Sequence, residues 1–156
     1  MRIKNNVFDW IINALCLAMC AGAGILLAGK WNTMPSKIAT HFDLMGNPNG
    51  YSGKGGVVVV FVVMIAMCVG MTLAESFPNL WNLPVTINEH NAYAVYRASK
   101  YLLEIVKLLL VLTFAVIVIV QIYGKSLPVW FTPVELLLIL GTTIVGTIVI
   151  VRKGKR

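Results

Sequence analysis

His41, Asp43, Asn47 and Asn49 are the residues best suited by type and spacing to bind something, and all four fall within one polar stretch, residues 34–54. Lys37 to Phe42 carries the β-branched Ile38 and Thr40. In an extended chain, the two-residue period places His41 and Asp43 on one face, with Ile38, Thr40 and Phe42 on the other. That would set an imidazole beside a carboxylate. Asn47-Pro48-Asn49-Gly50 fits a type I turn, with Asn first, φ-locked Pro second and Gly fourth. These four polar residues are the predicted contacts for a ligand or partner. Because imidazole is the side chain that changes charge near neutral pH, His41 could meet a ligand, sense pH or brace the loop.

A second pair, Glu104 and Lys107, stands three residues apart inside an apolar run. The spacing lets them pair on one helix face. Ionisable groups at membrane depth are costly and often functional, so the pair reads as either a structural bridge or part of a substrate or proton path. Asp9 and Glu135 fall in the first turns of their helices, where negative charge complements the helix dipole.

Signatures of catalysis and metal binding are missing. Glu89-His90 has no second histidine at zincin spacing, and His41 and His90 are the only histidines. A zinc site draws three or four ligands from one place. Cys16, Cys20 and Cys68 lie in apolar runs and read as small core residues, although Cys16 and Cys20 at i, i+4 would also suit a soft metal. No Walker spacing surrounds Lys54. The sequence therefore predicts no enzyme activity, no metal and no cofactor.

The elements that must position these residues follow from composition. The 156 residues are 58% apolar and only 12% charged, far from the soluble mix of about half apolar and a quarter charged. Four runs meet the roughly 17–25 residues that a crossing needs, at about 7–29, 55–74, 101–123 and 133–151. The expected fold is all-α: a single integral membrane domain over 1–156, a four-helix bundle with a structured extracytoplasmic loop. Arg2, Lys4, Arg97, Lys100, Arg152, Lys153, Lys155 and Arg156 would lie on the side of the termini, against Lys30, Lys37, Lys54 and Lys125 on the other. This bias predicts cytoplasmic termini and an outward His41 loop. The net charge of +7 then marks topology and attraction to anionic membrane lipid, with no nucleic-acid partner.

Small residues recur at every fourth position in the first two spans, as Ala14, Ala18, Gly22 and Ala66, Gly70, Ala74. This spacing predicts a tight helical hairpin between them. Thr142 and Gly146 offer the fourth span a similar face. Thr86-Ile87-Asn88-Glu89 reads as a capping box that starts a long third helix at Ile87. Arg97 and Lys100 would then meet anionic headgroups.

The run Met34-Pro35-x-x-Ile38-x-x-His41-Phe42-Asp43-x-x-Gly46-x-Pro48-Asn49-Gly50-x-x-x-Lys54, set between two spans, resembles the uncharacterised bacterial domain at the front of SdpI-type immunity proteins, domain of unknown function 1648. Ala39 stands where that family favours a second Pro, and Asn49 where it favours Asp. The resemblance implies a multi-pass protein of the bacterial plasma membrane with an outward His-Phe-Asp loop. Two functions are expected from these readings. The first is a binding or accessory protein, such as one giving immunity to a peptide toxin, whose loop meets a peptide or protein partner. The alternative is a small transporter or transporter subunit using Glu104 and Lys107, which with four spans would need to form an oligomer.

Overall fold

The computed structural model describes residues 3–155; Arg2 and Arg156, both counted in the charge tally, lie outside the described residues. Helix α1, Val7–Lys30, starts where Asn6 and Asp9 form a reciprocal capping box. The Asn6 side-chain oxygen accepts from the Asp9 N–H at 3.1 Å, and the Asn6 N–H donates to the Asp9 carboxylate at 2.8 Å. Two of the donors orphaned at a helix start are satisfied this way. Strands β1, Ile38–Phe42, and β2, Pro48–Ser52, form an antiparallel hairpin before α2, Gly55–Ser76. A short 3-10 turn at Pro78–Leu80 leads to α3, Ala92–Ile122, and then α4, Phe131–Gly154.

All four helices are long and apolar enough to cross a membrane. The longest, α3, has 31 residues and spans about 46 Å at 1.5 Å per residue. It is also the hub, packing along α1, α2 and α4, whereas α1 and α2 touch each other over a short stretch only. Its inward stripe of Val111, Ala115, Val118 and Ile122 meets Ile12, Cys16 and Leu27 of α1 and Val57 and Met64 of α2 in one core. The three cysteines are free thiols in or beside that core.

The hub arrangement corrects the expected tight packing of α1 on α2. Ala14, Ala18, Gly22, Ala66, Gly70 and Ala74 are all exposed, and a Cβ added at Gly22 or Gly70 would meet nothing within 4 Å. Larger side chains on the opposite faces bury more surface against α3, which offers each helix a longer apolar partner. In α4 the small residue does pack: a Cβ on Gly146 would stand 2.6 Å from the Leu102 side chain of α3.

The start of α3 also differs from expectation. Thr86 caps nothing, and the helix begins at Ala92. Asn88 and Asn91 clasp each other instead, each side-chain oxygen accepting the other's backbone N–H at 2.9 Å. The buried Asn91 amide then donates to the carbonyls of Thr86, at 3.1 Å, and Gly154, at 2.9 Å. A contact with the end of α4, distant in sequence, thus overrides the local capping signal.

Candidate functional site

Two places concentrate polar chemistry, one at each end of the bundle. The hairpin is fastened to the helices at its base. Ile38 is fully buried and Ala39 nearly so, and the buried Gln121 of α3 donates to the Ala39 carbonyl at 2.9 Å. At its turn, Gly46 takes φ +80° and faces the Leu127 backbone carbonyl, a position that only a residue without a Cβ fits. The Leu127 N–H donates back to the Gly46 carbonyl at 3.2 Å.

The turn spans Asp43 to Asn47, closed by Asp43 N–H to Asn47 carbonyl at 2.9 Å. This corrects the expected turn at 47–50, since Pro48 instead opens β2, a place in a strand that proline tolerates. The Asp43 carboxylate accepts the N–H groups of Met45, at 2.9 Å, and Asn47, at 2.8 Å, and the Asn47 side-chain amide at 3.3 Å. An Asx-type clasp of this kind outcompetes a proline-centred turn once glycine supplies the positive φ. The Asn47 backbone N–H, helped by its side-chain amide and the Met45 N–H, holds the Asp43 carboxyl below the usual carboxylate range.

The imagined His41–Asp43 pair does not form, because both Asp43 oxygens are turned into the clasp. The exposed His41 lies across from Gly50 in the strand register, and a Cβ on Gly50 would reach within 2.9 Å of the imidazole. Gly50 thus leaves room for the ring. Of the four predicted contact residues, Asp43 and Asn47 are occupied in building the turn, while His41 and Asn49 stay exposed. Sequence reasoning passed over the tip itself, where Leu44 is 70% and Met45 58% exposed. Their signal was two large apolar residues inside an otherwise polar run.

The second place is a buried charge cluster shared by α1, α2 and α3. Glu104 and Lys107 are both fully buried but do not pair. Helical side chains lean toward the N-terminus, so Glu104 lies over Lys100, 4.0 Å away. Lys107 reaches across to Glu75 at 2.6 Å, Asn13 at 2.9 Å and Thr72 at 3.3 Å, which uses its three donors. Asp9 receives Arg97 at 2.8 Å and Lys100 at 3.1 Å. Lys100 also donates to Asn5 at 2.5 Å, and Arg97 stacks on the Tyr101 ring, 4.8 Å from its centroid. Lys100 therefore faces inward to Asp9 and Asn5, a correction to its expected place at lipid headgroups, while Arg97 gives Asp9 one nitrogen and keeps a partly exposed side chain.

Asp9, Glu75 and Glu104 balance Arg97, Lys100 and Lys107 in formal charge, as groups withdrawn from water must. Satisfaction is uneven, however. Among the described residues, both Glu104 oxygens and one Asp9 oxygen are buried without a hydrogen-bond partner. Glu104 is the acceptor left open, able to take a proton, a water or a cation. Beside the cluster, a cavity of about 320 Å³ opens between the start of α1 and the end of α2, lined by Asn5, Asn13, Thr72, Glu75 and Lys100 among others. Glu135 is likewise nearly buried, its carboxylate accepting from the Thr113 hydroxyl of α3.

Glu75 is the participant that the sequence reading passed over, and Asp9, Arg97 and Lys100 are those to which it gave other roles. On α3 the signal was present: Arg97, Lys100, Glu104 and Lys107 follow three- and four-residue steps that continue into the buried Val111, Ala115 and Val118. The polar residues share the core face.

Comparison with known proteins covers part of this architecture. No curated protein and no solved structure matches the chain. Residues 18–66, from mid-α1 through the hairpin to mid-α2, match a family described as a domain of unknown function (DUF1648).

Proposed function

We infer that this chain is a non-enzymatic binding protein of the bacterial plasma membrane, with cytoplasmic termini, whose outward hairpin meets a peptide or protein. Immunity to a peptide toxin is the instance that the SdpI-like motif implies. The observation that carries this reading is the exposed Leu44–Met45 tip on a turn fixed by the Asp43 clasp and Gly46, in a hairpin that Gln121 anchors at its base. A rigid apolar tip loses little conformational freedom on binding. His41 stands exposed on the adjoining strand and supplies a polar contact.

The test places a photo-crosslinking residue at position 44, and separately at the exposed Leu137 of α4, in intact cells. The expected product at 44 is a discrete adduct with an extracytoplasmic peptide or protein, absent at 137 and weakened by His41→Ala. Lipid adducts alone at both positions would defeat the reading.

Transport is the second reading, favoured by the open Glu104 oxygens and the neighbouring cavity. Against it, the buried face of α3 between Lys107 and Gln121 carries only Val111, Ala115 and Val118, an apolar length of about 20 Å. A carrier would need an oligomer or a second conformation to bridge it. Proton uptake by proteoliposomes that Glu104→Gln abolishes would move the balance to transport.

A further inference from the structure

Helices α3 and α4 part along a groove of about 830 Å³ that shares only Arg97 and Tyr101 with the charge cluster described above. Its trough is apolar and its floor is made of small residues, Ala94 and Ala98 from α3 and Gly141 and Gly146 from α4. Basic side chains stand at one end only: Lys153 and Arg97 line the mouth, next to Tyr93. Lys153 makes no ion pair or hydrogen bond among the described residues, and Arg97 gives Asp9 a single nitrogen, Nη1. A cationic mouth on an apolar trough is the complement of an amphiphile with an anionic head.

Dimensions narrow the occupant further. The α3 wall, from Tyr93 to Ile105, is about 18 Å long at 1.5 Å per residue. One leaflet of a bilayer, headgroups included, is about 20 Å thick, so the groove runs from headgroup level to the middle of the membrane. An acyl chain lying along the trough would bring its headgroup to the level of the basic mouth.

We propose that the α3–α4 groove is a binding site for one anionic phospholipid, its acyl chain lying over Ala98 and Gly141 and its phosphate held between Lys153 and Arg97. The site is independent of whatever the hairpin binds. Basic pockets between membrane helices recognise anionic headgroups in this manner. Because Arg97 also bridges to Asp9, an occupied groove would fix α4 against the charge cluster.

The test uses the full chain, delipidated in mild detergent, with phosphatidylglycerol or phosphatidylcholine of identical acyl chains added and bound lipid counted by native mass spectrometry. Phosphatidylglycerol should be retained in preference, one molecule per chain. Lys153→Ala should weaken it about fivefold, the contribution of one basic residue near a headgroup, and weaken phosphatidylcholine less, because the choline cation offsets that lipid's phosphate charge. Gly141→Leu, which fills the trough from an open position on α4, should abolish retention of both lipids while leaving the melting curve in place. Equal retention of the two lipids, or retention indifferent to both substitutions, overturns the site. A dimer that Gly141→Leu dissolves overturns it too, by assigning the groove to a second copy.

Discussion

In the hairpin, Asp43 meets its partners two and four residues away, on Met45 and Asn47; at the opposite end of the bundle, Asp9 meets Arg97 and Lys100 at separations of 88 and 91 residues, and Lys107 meets Glu75 at 32. The hairpin clasp lies in water, where a lost hydrogen bond is partly replaced by solvent. The charge cluster lies among helices, where water cannot replace a lost partner and an orphaned charge keeps its full desolvation cost. One end is held by many cheap local bonds and the other by a few expensive distant ones. Stability should therefore depend on the cluster, and the shape of the exposed surface on the hairpin.

The largest expected effect tests the expensive end. Lys107→Met strands Glu75 without its counter-charge and should cost about 3–5 kcal/mol, read as a lower unfolding midpoint in detergent. The double variant Glu75→Gln with Lys107→Met removes both charges and should recover most of that loss, since a matched neutral pair has no orphan. Equal losses in the single and double variants would show that Lys107 acts through its packed stem and not its charge.

A middle-sized effect separates two glycines in opposite surroundings. Gly46→Ala must hold a Cβ at positive φ against the Leu127 carbonyl, and should cost about 2 kcal/mol, with faster proteolysis of the hairpin. Gly70→Leu points into open space and should stay within about 0.5 kcal/mol of the wild type. A large loss at Gly70 would mean that the exposed small-residue face of α2 is covered by another chain.

This contrast also explains what could be read from the chain alone. Four spans were legible because each repeats one signal, apolarity, over more than twenty residues, and no tertiary contact has to be guessed to see it. The hairpin was half legible. Ile38 and Thr40 announce a strand, but the competition between an Asn-Pro turn and an Asp43–Gly46 turn also involves Leu127, about eighty residues downstream. The charge cluster was least legible as an assembly, although each member but Glu75 was visible. Lys107 could pair with Glu104 on its own helix or with Glu75 on another, and only the position of α2 against α3 makes the second choice. The α1–α2 packing failed for the same reason: small-residue spacing permits close approach without naming the partner, and α3 offered both helices the larger apolar surface.

The smallest effect belongs to the clasp and appears only with acid. Hydrogen bonds from Asn47 and Met45 lower the Asp43 pKa, so the folded turn favours the ionised carboxylate over the free value of about 3.9. A group depressed in the folded state stabilises above its unfolded pKa and loses that contribution as pH falls through the folded one. The Asp43 turn should therefore be fully formed at pH 7 and loosen below about pH 4, while the helices keep their circular dichroism. Amide proton shifts of Met45 and Asn47 report the clasp directly. They should move together in acid in the wild type, and Asp43→Asn should abolish the titration and show the loosened shifts already at pH 7. If Asp43→Asn instead reproduces the wild-type shifts at pH 7, the carboxylate charge is not what closes the turn. Gly46 and its contact with Leu127 would then be sufficient to hold it, and the hairpin, like the far end of the bundle, would take its shape from distant residues.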